Sequence, residues 1–139
     1  MLKMRVVAVR AAMALGTLVV ALLSGAADDG VPDRFADRPV LPDCGRAVSN
    51  IMQAEPVGAA VDCFDAALAA GRAAELVVDV TTVEGDPVTL YYRALPDGGM
   101  EMFDDSREDG FGSGGWSYNR CPEARSFGAW GPCESRRLS

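Results

Sequence analysis

Residues 75–105 constrain this chain more than any other stretch, because they alternate with period two across three short runs separated by turn residues. Leu76, Val78 and Val80 alternate with Val77, Asp79 and Thr81, so one face of a first strand is fully apolar. Tyr91, Tyr92, Met100, Met102 and Phe103 supply large side chains suited to a pleated, half-buried surface. Glu84-Gly85-Asp86-Pro87 reads as one tight turn and Pro96-Asp97-Gly98-Gly99 as the next. Pro87 cannot donate to a ladder, which puts it at the mouth of the second strand. The expectation is an antiparallel meander of three strands. A short fourth is expected around Trp116–Asn119.

A helix is expected to cover this meander. Val57, Val61, Phe64 and Leu68 recur at spacings of 4, 3 and 4, a stripe on one helical face. Pro56 suits the first turn, and Gly71 suits the position just past the C-terminus. Asp62 and Asp65 fall off the stripe toward water. A shorter helical turn is expected over 46–53, with Val48, Ile51 and Met52 inward. The fold class is therefore α+β: one main helix packed on a three- to four-stranded antiparallel meander, stapled by two disulfides. Its core joins the helical stripe to Leu76, Val78, Val80, Leu90 and Tyr92, with a one-residue slip exchanging Leu90 and Tyr92 for Tyr91.

The disulfides follow from the cysteines and from residues 1–26. Lys3, Arg5 and Arg10 precede an apolar run from Ala11 to Leu23, and Ser24-Gly25-Ala26 offers small residues for cleavage. The run is shorter than the about 20 residues a spanning helix needs; an uncleaved anchor is the alternative, and the one route to a membrane. No cysteine stands where a lipid would be attached; Ala26 is there instead. A secreted protein with Cys44, Cys63, Cys121 and Cys133 implies two disulfides rather than a metal site, and no Cys-x-x-Cys pair or histidine is present. Three pairings are open. Cys44–Cys63 with Cys121–Cys133 is favoured, because each pair brackets a segment outside the sheet.

The domain plan is then a signal peptide over 1–26, an Asp- and Pro-rich disordered arm over 27–43, a single domain over 44–135 and a frayed tail over 136–139. Without residues 1–26 the chain carries 10 Lys+Arg against 20 Asp+Glu. That balance opposes binding to nucleic acid or anionic lipid and suits a soluble monomer.

Thr82-Val83-Glu84-Gly85-Asp86-Pro87, followed by an aromatic strand and then by Asp105 through Asp109 to Gly110-Phe111-Gly112, resembles an uncharacterised family of bacterial exported proteins and lipoproteins. That family is marked by a Thr-x-Glu-Gly-Asp-Pro turn and a later Asp-x-x-x-Asp-x-Phe-Gly segment. The likeness covers about residues 61–121, and this chain departs from it by lacking the lipidation cysteine. The resemblance implies an exported compartment and no particular activity.

No catalytic residues are expected. Without histidine there is no Ser-His-Asp or Cys-His arrangement, and the cysteines are committed to cystines. No cofactor is expected either. Asp105-Ser106-Arg107-Glu108-Asp109-Gly110 opens like a calcium loop, yet Arg107 stands where a ligand is needed and Trp116 where the bidentate Glu belongs. A looser calcium site at Asp105 and Asp109 competes with a plain solvated turn.

The candidate site comes from strand direction. In a meander the turn after the first strand and the loop after the third emerge at one end of the sheet. Glu84 and Asp86 are thereby expected beside Asp104, Asp105, Glu108 and Asp109, with Arg107 the nearby cation and Trp116 as an apolar anchor. The repulsion gathered there would be offset by water, salt, turn amides and Arg107 itself, or by a cationic ligand or a basic patch on a protein partner. The function expected is a small secreted, non-enzymatic binding domain. The alternative is a secreted protease inhibitor presenting the 121–133 cystine loop, with Arg125 near its centre.

Overall fold

The computed structural model describes residues 30–50, 52 and 55–139. The expected signal segment, residues 27–29, and Ile51, Gln53 and Ala54 lie outside the described residues. In chain order the elements are α1 (Asp33–Ala36), β1 (Asp43–Asn50), α2 (Ala59–Ala69), β2 (Ala74–Thr81), β3 (Pro87–Ala94), β4 (Met100–Asp105), β5 (Trp116–Cys121) and β6 (Glu134–Leu138). The six strands form one sheet in strict sequence order, β1 parallel to β2 and every later pair antiparallel.

The fold class thus differs from expectation: it is a mixed six-stranded sheet with two short helices, not one main helix on a three- to four-stranded meander. The alternating stretch does form β2, β3 and β4, with Leu76 opposite Tyr92 and Val78 opposite Leu90. The additions lie at both ends of the chain, where periodicity is weak. Residues 46–50 belong to an edge strand and not to a helical turn. Alternation between the two faces explains it: Ala47 packs against the core under α2 while Arg46 reaches the opposite face to bond Asp79. The 136–139 segment, expected as a frayed tail, is mostly in β6, which pairs with β5 from Glu134 to Leu138. Its Glu-Ser-Arg-Arg-Leu sequence has no apolar alternation, and it is largely exposed. The backbone ladder places it, with Leu138 packed beside Trp116 and Ser135 bonded to Asn119.

Helix α2 buries Val61, Phe64, Ala67 and Leu68 against β2 and β3, and Phe64 is fully enclosed. Val57 precedes the helix and is exposed, so it leaves the expected stripe. The helix ends as its glycine requires. Gly71, at φ +62°, lets its N–H reach Leu68 O while Arg72 N–H reaches Ala67 O, satisfying two terminal carbonyls. Cys44–Cys63 ties β1 to this helix, and Cys121–Cys133 closes the loop between β5 and β6.

The second face of the sheet is covered by the segment expected to be a loose arm. Phe35 of α1 is buried in a box made by Tyr91, Phe103 and Trp116, with ring centroids 4.6, 5.3 and 4.4 Å away. Arg38 stacks over the Phe35 ring and pairs with Glu75. Beneath it Arg93, 2% exposed, pairs with Glu75 and Glu101 and donates to Pro39 O. Arg93 and Glu101, charged strand residues on this face, are thus buried and held by paired partners.

Candidate functional site

The Thr-x-Glu-Gly-Asp-Pro turn is built residue by residue. Thr82 Oγ1 accepts from Asp86 N–H at 3.0 Å, Thr82 N–H donates to Asp86 O, and Gly85 takes φ +95°. The Asp86 carboxylate then crosses to the loop after β4 and accepts from Gly110 N–H at 2.9 Å. The β2–β3 turn and the β4–β5 loop thus meet at one end of the sheet, as strand direction requires.

The acidic residues gathered there are mostly engaged with the protein itself. Asp109 accepts from the N–H groups of Phe111 and Gly112 at 3.1 and 2.9 Å. Asp105 holds Arg107 through both carboxylate oxygens at 2.8 Å, and this hydrogen-bonded cation keeps its carboxyl below the usual carboxylate range. Asp104 lies on the opposite face of the sheet, opposite Leu90, and accepts from Ser106 Oγ. Burial pushes its carboxyl upward, Ser106 opposes that, and the charges of Asp105 and Asp109 add to it. Glu84 stays exposed on the turn. Trp116 is buried, stacked near Tyr91 and packed on Phe35, so it is no surface anchor. Among the described residues no group of three or more His, Cys, Asp or Glu is placed to hold a metal ion.

A different surface has the shape of a site. Helix α2 covers only part of its face of the sheet, and the loop between β5 and β6 folds over the remainder. Phe127 and Trp130 from that loop lie 4.9 and 5.8 Å from the Tyr92 ring, and Asp65 on α2 accepts from Phe127 N–H rather than facing water. An open groove of about 300 Å³ remains, floored by Val78, Val80, Leu90 and Tyr92 and walled by Phe127 and Trp130. A second apolar hollow, of about 260 Å³, lies beyond Trp130 against Met100 and Met102. Exposed Glu55 lines the first groove and presses on Gly128, where a β-carbon would come within 2.6 Å of its carboxylate. Burial first, and then the charges of Asp104 and Glu55, push the Tyr92 hydroxyl above its usual range. The groove is thus apolar below with carboxylates beside it. Its sequence signal is faint: two aromatics three apart inside a cystine loop rich in glycine and proline.

That cystine loop does not stand off the domain. Ala124 is fully buried, Ser126 bridges Ala129, and the Arg125 guanidinium donates to Ala124 O at 2.8 Å. No family model, no curated protein and no solved structure matches this chain. The two disulfides fit an oxidising, extracytoplasmic setting, and among the described residues no helix is long and apolar enough to cross a membrane.

Proposed function

We propose that this protein is a non-enzymatic binding domain of the extracytoplasmic space, and that its ligand is a protein segment or amphiphile with an apolar body and a cationic head. One observation carries the reading: the open groove over Val80, Leu90 and Tyr92 has an apolar floor and aromatic walls, with the Glu55 carboxylate in its lining and Asp104 paired opposite Leu90. An apolar moiety seated there leaves water, and a cation at the rim meets negative charge. The arrangement keeps the expectation of a cationic partner but moves the apolar anchor from Trp116 to Trp130. Around the β2–β3 turn at the same end of the sheet, Asp86, Asp105 and Asp109 are occupied by backbone amides and by Arg107.

The test is a titration with a short peptide alternating Lys and Leu, followed by the fluorescence of Trp130 in a Trp116→Phe background. Saturable binding is expected. Val80→Lys should abolish it, and Asp104→Asn should weaken it. An acidic Glu/Leu peptide binding equally well would remove the reading, as would a Val80→Lys variant that binds like its parent. Stoichiometric inhibition of a trypsin-type protease, lost on cutting after Arg125, would favour the inhibitor instead.

A further inference from the structure

The other face of the sheet carries a feature at odds with the chain's overall charge. Arg34 from α1 and Arg136 from β6 both stand over the ring of Tyr118, their guanidinium carbons 3.9 and 5.0 Å from its centroid. Neither makes an ion pair among the described residues, whereas Arg38, Arg46, Arg93, Arg107 and Arg120 all do. Arg72, Arg125 and Arg137 also make no ion pair among the described residues, but of these five unpaired arginines Arg34 and Arg136 alone share one aromatic ring. Tyr118 is itself fixed, buried in β5 with its hydroxyl donating to Glu101 at 3.0 Å.

The two side chains border a groove of about 370 Å³, lined also by Tyr118, Arg120, Glu134 and Ser135. Arg120 is already committed to Met100 O, Gly98 O and Asp97. Glu134 supplies the one carboxylate in that lining. Arg34 also hydrogen-bonds the Tyr118 hydroxyl; its other donors and the fork of Arg136 border the groove. We propose that these two arginines form a binding site for a tetrahedral oxyanion, phosphate or sulfate, free or carried on a small ester.

Three physical points support the assignment. A guanidinium presents its donors in a planar fork that matches an oxyanion edge, and stacking on an aromatic ring pre-orients it. A tetrahedral oxyanion has oxygens enough to meet two forks at once. Mutual repulsion of the guanidiniums also falls when an anion sits between them. The groove's volume leaves room for an ester substituent beside the anion. This site lies on the opposite face from the apolar groove and stands or falls independently of it.

The test is titration calorimetry with inorganic phosphate, sulfate and glucose 1-phosphate at constant ionic strength, with chloride as the control anion. Saturable binding of phosphate and sulfate is expected, weakened about tenfold or more by Arg34→Gln and by Arg136→Gln. Arg125→Gln, at an exposed arginine outside the groove, should leave it unchanged. Tighter binding of the ester would assign the groove to a phosphorylated or sulfated ligand; equal binding would assign it to the free ion. Because both arginines are exposed, the variants should melt like the parent without phosphate and lose the rise in Tm that phosphate gives the parent. No saturable binding, or binding that survives both substitutions, would overturn the proposal.

Discussion

Arg93 shows how far a single residue can depart from its sequence impression. A charged residue alternating with Tyr92 in a strand suggests a solvated face, yet its Nε donates to Glu75 at 2.9 Å and a second nitrogen reaches the buried Glu101. Arg93→Met would leave Glu101 without its cation and should cost about 3–5 kcal/mol in urea unfolding. Arg93→Met with Glu101→Gln should cost less than the sum of the two single changes. The carboxylates at the β4 end make a pH prediction of opposite signs. The raised carboxyl of Asp104 binds its proton more tightly in the folded chain, so ionisation lowers stability as pH rises from the ordinary carboxylate range through that raised value. Asp104→Asn should therefore be more stable than the parent above that window and equal to it below. Asp105 acts the other way. Its contribution is present above the ordinary carboxylate range and is lost as pH falls through its lowered value, so Asp105→Asn should be destabilising at neutral pH and neutral in acid. Thermal melts across pH check both. The sequence places these acids near one end, but whether neighbours in a strand share a face depends on register: Asp104 and Asp105 point oppositely.

At the scale of elements, the strongest periodicities were readable and the weakest were not. Val61, Phe64 and Leu68 mark α2, and Leu76, Val78 and Val80 mark β2, because each buries a regular stripe. Helix α1 has four residues, too few for any period, and Phe35 is its one buried side chain. Phe35→Ala should cost about 3 kcal/mol and open the box formed by Tyr91, Phe103 and Trp116. A lowered urea midpoint with increased binding of an apolar dye would show it; an unchanged midpoint would mean the arm adds nothing to the domain. The candidate groove was hidden for a related reason. Its walls come from a loop, and loop aromatics carry no pattern that tells packing from exposure.

For the whole molecule, the cysteines were more informative than the strands. Their even number and bracketing positions led to Cys44–Cys63 and Cys121–Cys133, the pairs seen here. Non-reducing peptide mapping should recover those two cross-links and no free thiol. Opening either bond should cost about 2–4 kcal/mol, seen as a lower urea midpoint after reduction or in a paired Cys→Ser variant. The parallel β1–β2 pair escaped the reading because a parallel partner needs a crossover rather than a tight turn. The bridge from Asn50 to α2 has no periodicity to announce one.

The strictly sequential strand order also bears on how such a chain can be made. Consider a polypeptide leaving a narrow pore with its N-terminus first. When Cys63 emerges, Cys44 is the one thiol already outside; once these two have joined, Cys121 can meet only Cys133. Each strand from β2 onward finds its neighbour already exposed and waiting. A nonspecific oxidant acting during emergence would then form the native cross-links without reshuffling, whereas the same chain released whole and reduced could form any of three pairings.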